Sequence, residues 1–493
     1  MARKRVSSGI AGVDEILHGG FFTSSSYLIV GSAGTGKTVM SMQWLAAGVE
    51  AGERTLFVTL AEPAHKIRQN VESFGWPIDR IEIVDLTYVD ESSGPGEGEY
   101  EIFPASDVER IPTWQNLFRV IEEQRPSRIV IDSLTQLRYL SVDDYQFRKH
   151  LMRLVNFLDH CGCTALLAYE PVELEQEASV ALAVDGIIRL RMQVSQNRVI
   201  GLRSMQVEKL RGSDFISGLH PFRITATGMT VFPHRIELID RTPPSEDILS
   251  TGVTELDELL AGGIETGTTS MLTGPPGVGK STLSVRFVAT AAERGYPGVI
   301  YAFEESIDSI LRRSRNVGID VEPLLADGRM RIVPVNALQL YPDEFLSMVR
   351  RDVDGGARVV SVDSLRGYTL AMEEFGTPVA HLHNLVTHLN RRGVTTMLLN
   401  EVEFITGDLR ATDLGVSHVA DNIVLMRYAE YRSSVIKVIG CLKKRLGGFQ
   451  PELRELKISS DGIHVSGKLS FLRGILSGIP AFSIGADGET IER

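Results

Sequence analysis

The sequence predicts two tandem α/β domains, each on a largely parallel central sheet, and three observations carry that expectation. First, the chain repeats itself. "SGIAGVDEILHGGF" from Ser8 lies 243 residues ahead of "TGVTELDELLAGGI" from Thr251, and the same interval separates Lys37 from Lys280 and Glu62 from Glu305. Second, apolar strands alternate with amphipathic segments: "SYLIVG", then "VMSMQWLAAGVEAG", then "RTLFVTL", an order that the second half repeats. Third, each half joins its first such strand to a helix through a glycine-rich loop. A chain of 493 residues is too long for one core, and the expected division is residues 1–241 and 242–493.

Strands such as "RIVIDS" and "TALLAYE" are apolar almost throughout, as parallel strands covered on both faces should be. Asp132 in "RIVIDSL" and Asp363 in "VVSVDSL" are only 231 residues apart. The shortfall is explained by "VDESSGPGEGEYEIF", Val89 to Phe103, an acidic, glycine-rich stretch that the second copy lacks and that reads as a surface loop. "DRTPPSEDILS", Asp240 to Ser250, reads as a stiff polar linker because of Pro243 and Pro244.

Bulk composition narrows the function classes. The chain is 43% hydrophobic and 23% charged, as a globular protein is, with a net charge of -12. That balance argues against a broad basic face for nucleic acid. Cys161, Cys163 and Cys441 match no metal spacing and no disulfide framework, which fits a reducing, cytoplasmic location. "MARKRVSSGIAGVDEIL" is basic with no apolar run behind it, so no signal peptide is expected, and no stretch approaches the roughly 20 apolar residues of a membrane span.

The glycine-rich loops are "GSAGTGKT", Gly31 to Thr38, and "GPPGVGKS", Gly274 to Ser281, both of the form G-x-x-x-x-G-K-[ST]. Such a loop wraps backbone N–H groups around phosphate oxygens at a helix N-terminus. The residues expected to hold ATP are Gly31, Ala33, Gly34, Thr35, Gly36, Lys37 and Thr38 in the first copy. In the second they are Gly274, Gly277, Val278, Gly279, Lys280, Ser281 and Thr282. Lys37 and Lys280 are expected to reach the outer phosphates. Asp132 and Asp363 end buried strands at the carboxyl edge of the sheet, where ligands bind in open α/β folds. With the hydroxyls of Thr38 and Ser281 they are the expected Mg²⁺ residues.

The two copies part company at one slot. The second reads "IYAFEESI", with Glu304 and Glu305 adjacent, and the first reads "FVTLAEPA", with Ala61 and Glu62. Phosphoryl transfer needs the attacking oxygen positioned and deprotonated. Glu304 comes 24 residues after Lys280, at the end of the next strand, and is the expected general base, with Glu305 expected to hold it or to raise its pKa. Ala61 cannot accept a proton, and Glu62 is the remaining candidate catalytic residue of the first copy, set one residue away and acting through a water. The first domain is therefore expected to bind ATP and hydrolyse it more slowly.

With its tandem phosphate loops, "FEES", the paired "DSL", "KLRGS" and a closing "SFLRGILSGIP", the chain resembles the KaiC family of circadian-clock ATPases and autokinases from Ser8 to about Pro480. The resemblance implies RecA-like domains, so the fold expected is two tandem RecA-like P-loop NTPase domains. It also implies a homo-hexameric ring with ATP bound between neighbouring subunits. On that footing Lys209, Leu210, Arg211 and Ser213 in "VEKLRGS", and Lys443 and Arg445 in "CLKKRLG", match positions that reach a neighbour's triphosphate. Without the family they read as exposed basic residues at a strand end. Leu446 stands where the family usually has glycine. In kinase members adjacent Ser and Thr residues of the second domain accept phosphate. Here Ser417 holds the serine position, Thr412 matches a nearby threonine, His418 replaces the acceptor threonine, and the first copy has Ala181 opposite Ser417. Three readings stay open: a signalling ATPase with unknown protein partners, a RecA-type DNA recombinase or helicase motor, and a scaffold in which ATP joins subunits.

Overall fold

The computed structural model describes residues 3–87, 107–170, 180–194, 201–235, 247–402, 416–470, 472–473 and 481–482. The chain divides into two compact units, Met1–Arg235 and Ile236–Arg493. The boundary expected at 241/242, the loop Val89–Phe103 and Thr412 all lie outside the described residues.

The first unit is built on a nine-stranded sheet. In chain order its strands are β1 (Ser26–Val30), β2 (Thr55–Thr59), β3 (Glu82–Asp85), β4 (Arg128–Asp132), β5 (Thr164–Tyr169), β6 (Gly186–Val194), β7 (Gly201–Leu210), β8 (His220–Thr225) and β9 (Gly228–Val231). Their spatial order is β3-β2-β4-β5-β1-β6-β7-β8-β9. All pairings from β3 to β6 are parallel, and those from β6 to β9 are antiparallel. The expectation of a largely parallel sheet holds, with an antiparallel wing on one side.

The second unit repeats this topology strand for strand. Its elements are β10 (Thr269–Gly274), β11 (Gly298–Ala302), β12 (Met330–Pro334), β13 (Val359–Asp363), β14 (Thr395–Glu401), β15 (Asn422–Tyr431), β16 (Ser434–Lys444), β17 (Leu453–Ser459) and β18 (Gly462–Lys468). They lie in the order β12-β11-β13-β14-β10-β15-β16-β17-β18. As anticipated, the central strands are covered on both faces: β1, β2, β5, β10 and β11 are buried from end to end. Each sheet has an apolar core on each side.

Two helices per unit frame the site. They are α1 (Lys37–Glu50) and α2 (Ala64–Glu72) in the first, and α3 (Lys280–Glu293) and α4 (Ile307–Asn316) in the second. Trp44, Leu45 and Val49 of α1 and Leu283, Phe287 and Val288 of α3 press these helices onto their sheets. Each phosphate-loop helix starts at a left-handed glycine, Gly36 at φ 104° and Gly279 at φ 118°. A Cβ on Gly279 would lie 2.3 Å from Ile458 Cδ1, so glycine is required there for space as well as for backbone angle.

The expected linker Asp240–Ser250 is not linker to its end. Ile248–Leu249 is a short strand paired antiparallel with Ile264–Glu265, just as Arg5–Val6 pairs with Phe21–Phe22 in the first unit. Pro243 and Pro244 lie outside the described residues, and the apolar pair after them belongs to the second unit.

Candidate functional site

The two phosphate loops are held alike. Each begins where the central strand stops, and the neighbouring parallel strand ends beside it. Gly31 N donates to Tyr169 O at 3.1 Å, and Gly274 is in register with Glu401. In the first loop Ala33 and Gly34 are exposed, while Thr35 is buried and its Oγ1 donates to Ser32 O at 2.8 Å. In the second loop Gly277 is exposed. Val278 is fully buried in the core, leaving its backbone alone to face a phosphate.

Both loop lysines are largely buried. Lys280 Nζ donates to Gly274 O and Pro275 O, both at 2.8 Å. Burial holds its ammonium below the usual lysine range, and Glu401, Asp363 and Glu304 pull the other way. Lys37 Nζ donates to Gly31 O at 2.7 Å and Ser32 O at 3.1 Å, and it also pairs with Glu170 Oε1 at 2.9 Å.

The expected hydroxyl–carboxylate pairs meet in both copies. Thr38 Oγ1 donates to Asp132 Oδ2 at 2.9 Å. Ser281 stands close enough to Asp363 for its hydroxyl to hold that carboxyl down. Burial pushes both aspartates above the usual carboxylate range; the hydroxyl bond and the loop lysine pull each one back. A buried carboxylate that is costly to ionise beside a hydroxyl suits Mg²⁺, which takes one or two protein oxygens and completes its shell with phosphate and water. Thr282 is buried beside Ser281.

A cavity of about 240 Å³ opens at the second loop, walled by Lys280, Ser281, Thr282, Glu304, Asp363 and Arg313 among others. Glu304 arrives there because β11 pairs with β13 so that Ala302 faces Asp363, and Phe303 N donates to Asp363 O at 2.7 Å. The next residue is then at the carboxyl edge, exposed beside the loop. The first copy has the same register, Thr59 facing Asp132 and Leu60 N bonded to Asp132 O at 2.8 Å, which delivers Ala61 to that place.

Glu305 is held from the helix side and makes no hydrogen bond to Glu304. Its carboxylate is taken by the guanidinium of Arg313 and by Ser309 Oγ at 2.7 Å. In the first copy Glu62 Oε1 accepts from Asn70 Nδ2 of α2 at 3.3 Å, and Glu62 lies near enough for its charge to act on Asp132.

The lysines of the K-x-R segments are not the free surface cations that a reading without the family suggests. Lys209 Nζ is half-buried and donates to Ala181 O at 2.6 Å and Val184 O at 2.7 Å. Lys443 Nζ does the same to Ser417 O at 3.1 Å and Ala420 O at 2.7 Å. Burial lowers both below the usual lysine range, and the neighbouring Arg211 and Arg445 reinforce the shift. A β-bulge falls beside each lysine, between Ile187 and Ile188 and between Ile423 and Val424. The arginines are exposed: Arg211 Nη2 donates to Leu182 O at 2.9 Å, and Arg445 pairs with Asp421 at 3.0 Å. Leu210 is buried, and Ser213 Oγ accepts from Arg5 at 2.6 Å. None of these residues lines the cavity at the second loop. Ser417 sits in a 3₁₀ turn, Val416–His418, ahead of β15.

Three features of the site escaped the sequence. Glu170 and Glu401, which close β5 and β14, stand beside the loops, and a signal existed: their 231-residue separation is that of the two aspartates. Arg313 and Asn70 share the 243-residue interval but differ in type. Tyr428 and Lys437 reach the second loop from the antiparallel wing, at Pro276 O (3.3 Å) and Gly277 O (3.2 Å).

Comparison with known proteins agrees with this geometry. The family described as "ATPase: KaiC" matches twice, over residues 6–236 and 249–470. A circadian clock protein KaiC3 of Synechocystis sp. is 27% identical over 99% of this chain and 97% of its own length. Circadian clock oscillator proteins KaiC of Prochlorococcus marinus and Synechococcus elongatus are 27% and 28% identical, over 99% and 96% of this chain and 97% and 91% of their own. Two matches that together span most of the chain, each containing a phosphate loop of the expected form, make it a member of the KaiC family of ATP-binding ATPases.

Proposed function

We propose that the two sites divide the work: the second domain hydrolyses ATP with Glu304 as general base, and the first holds ATP and turns it over slowly. The observation that carries this reading is the shared slot. The same strand register delivers Glu304 beside Lys280, Ser281 and Asp363 in one copy and Ala61 beside the corresponding groups in the other. In the second site Glu304 accepts the proton of the attacking water as its oxygen bonds to the terminal phosphorus. The bond from that phosphorus to the bridging oxygen breaks, and ADP leaves with the electron pair. Lys280 neutralises charge on the outer phosphates. Ser281 and Asp363 in one copy, and Thr38 and Asp132 in the other, would hold Mg²⁺, which would supply further neutralisation of phosphate charge. Losing a positioned base costs about 10²–10⁴ in rate, which sets the expected gap between the sites.

The chain acts, in this reading, as a homo-hexameric ring in the cytoplasm, signalling to protein partners. Lys209, Leu210, Arg211 and Ser213, and Lys443 and Arg445, serve a neighbouring subunit's nucleotide. That Lys443 and Arg445 do not line the cavity of their own domain supports that role, as does the way carbonyl bonds fix Lys209 and Lys443. Autophosphorylation is assigned to Ser417, whose carbonyl anchors Lys443 and so couples the acceptor turn to the neighbour's nucleotide.

The test follows ATP consumption and protein-bound phosphate in parallel for Lys37→Ala and Lys280→Ala proteins, with and without single-stranded DNA. Hydrolysis that survives Lys37→Ala and collapses in Lys280→Ala is expected, without DNA stimulation. Equal rates from the two variants would overturn the division of work, and no added mass would remove the kinase part.

A further inference from the structure

One cation of the second site has no task in that mechanism. Arg313, on α4, lines the cavity and reaches back to Glu305, with Nη1 donating to both carboxylate oxygens. Its Nε and Nη2 are buried and have no hydrogen-bond partner among the described residues. A guanidinium is a planar fork of five N–H donors, and buried donors left unmade are unfavourable. Native proteins rarely tolerate them without an acceptor that arrives from elsewhere. Arg313 lines a cavity that the loop lysine also lines, and phosphate oxygens are the acceptors such a cavity takes, within reach of these donors once the guanidinium turns. Arg313 also acts on Asp363, whose carboxyl it helps to pull down against burial.

The first copy isolates what the charge adds. Asn70 occupies the matching place on α2 and holds Glu62 by a single bond at 3.3 Å. The bracing of the glutamate is kept there and the positive charge is absent. Bracing alone therefore does not require an arginine, and the second site carries a cation beyond that need.

We propose that Arg313 is a phosphate-binding residue that the second domain supplies to its own site, shared between Glu305 and the terminal phosphoryl of a bound nucleoside triphosphate. Without nucleotide it neutralises Glu305. When the terminal phosphoryl enters beside Glu304, the guanidinium turns its unused donors to the phosphate oxygens and slackens its hold on Glu305. A diphosphate leaves that place empty, so Arg313 discriminates tri- from diphosphate. The inference rests on the ATP reading of the second site and goes beyond it, because it adds a cation in cis to those expected from a neighbour.

The test uses the full chain with Lys37→Ala, which removes phosphate binding at the first loop, and measures affinities for fluorescent adenylyl-imidodiphosphate and ADP. Adding Arg313→Asn, the first copy's residue, is expected to weaken the triphosphate analogue about tenfold or more and ADP less than about threefold. Arg313→Lys should recover part of the difference. Glu305→Gln, which frees the guanidinium, should tighten the triphosphate analogue. Equal affinities with and without Arg313→Asn, or an equal loss for both nucleotides, would overturn the proposal. If Arg313→Asn does not fold, Glu305→Gln decides: tighter triphosphate binding supports the exchange and unchanged binding overturns it. Should Lys37→Ala protein bind neither nucleotide while wild type does, the ATP reading of the second loop fails, and this inference fails with it.

Discussion

Two sheets with the same strand order and the same register carry sites of opposite charge logic. At the first loop the cation is matched within the chain: Lys37 pairs with Glu170, and a neutral asparagine braces Glu62. At the second, Lys280 is held by two carbonyls alone, while Glu304 stands exposed and Glu305 is neutralised by Arg313. The fold is therefore indifferent to the catalytic slot. Residues that pack against the sheet are conserved in role between copies, and residues at its carboxyl edge are free to differ, because that edge faces the ligand and not the core. A backbone that delivers a carboxylate in one copy delivers a methyl group in the other without rearrangement.

The largest effect expected from breaking this contrast is at Glu304. Glu304→Gln keeps size and hydrogen bonding but removes the base, and steady-state phosphate release should fall by about 10²–10⁴, to the level of the first site. A loss under tenfold would show that Glu304 is not the base. The converse change, Ala61→Glu in a Lys280→Ala background, should raise first-site hydrolysis by about tenfold or more, since the register already points that residue at the phosphate edge. No gain in phosphate release would mean that the copies differ by more than this slot.

How much of this was legible in the sequence follows from where each signal resides. The phosphate loops and the two aspartates were legible because local rules place them: left-handed glycines open a helix, and a carboxylate ends a buried strand. The alanine at position 61 was legible because the repeat supplies its own control. Glu170 and Glu401 were not, although both close quoted or visible strands, because their nearness to the loops comes from pairing of β5 with β1 and of β14 with β10. Nor was the burial of Lys209 and Lys443, whose carbonyl partners lie more than twenty residues earlier. Ile248 and Leu249 were lost to a linker because two residues show no period, and only the repeated hairpin with Arg5–Val6 identifies them.

A smaller effect concerns stability. Burial raises Asp363 above its unfolded value, against the Ser281 bond, Arg313 and Lys280, with Glu305 adding to the rise. The native state then holds that proton more tightly than the unfolded chain. The stability this supplies is complete below the unfolded carboxylate pKa, about 3.9, and is lost as pH rises through the native value. At neutral pH without nucleotide the charge is therefore a burden, and Asp363→Asn should raise the second domain's Tm by about 2–4 °C in calorimetry while abolishing Mg²⁺-dependent hydrolysis. The gain in Tm should shrink as pH is lowered toward 4. A lowered Tm at neutral pH would mean that the Ser281 hydroxyl, Arg313 and Lys280 together outweigh the burial.

The smallest effect, and the finest test of the contrast, is at Glu170. A phosphate approaching Lys37 competes with a carboxylate 2.9 Å from its Nζ, whereas at Lys280 no such ion pair is found among the described residues and Glu401 is shared with Arg366 at 3.5 Å. Removing the competitor should favour nucleotide at the first site. The Glu170 side chain is 46% exposed, so solvent screens the pair and the gain should be modest. Glu170→Gln in a Lys280→Ala background is expected to tighten ATP by about two- to fivefold, a difference that fades above about 0.5 M salt as screening removes the competition. Glu401→Gln in a Lys37→Ala background should change affinity less. Weaker binding in Glu170→Gln would reverse the assignment: Glu170 would then be holding Lys37 in the position that phosphate requires, and the first loop would be a prepared site and not a self-occupied one.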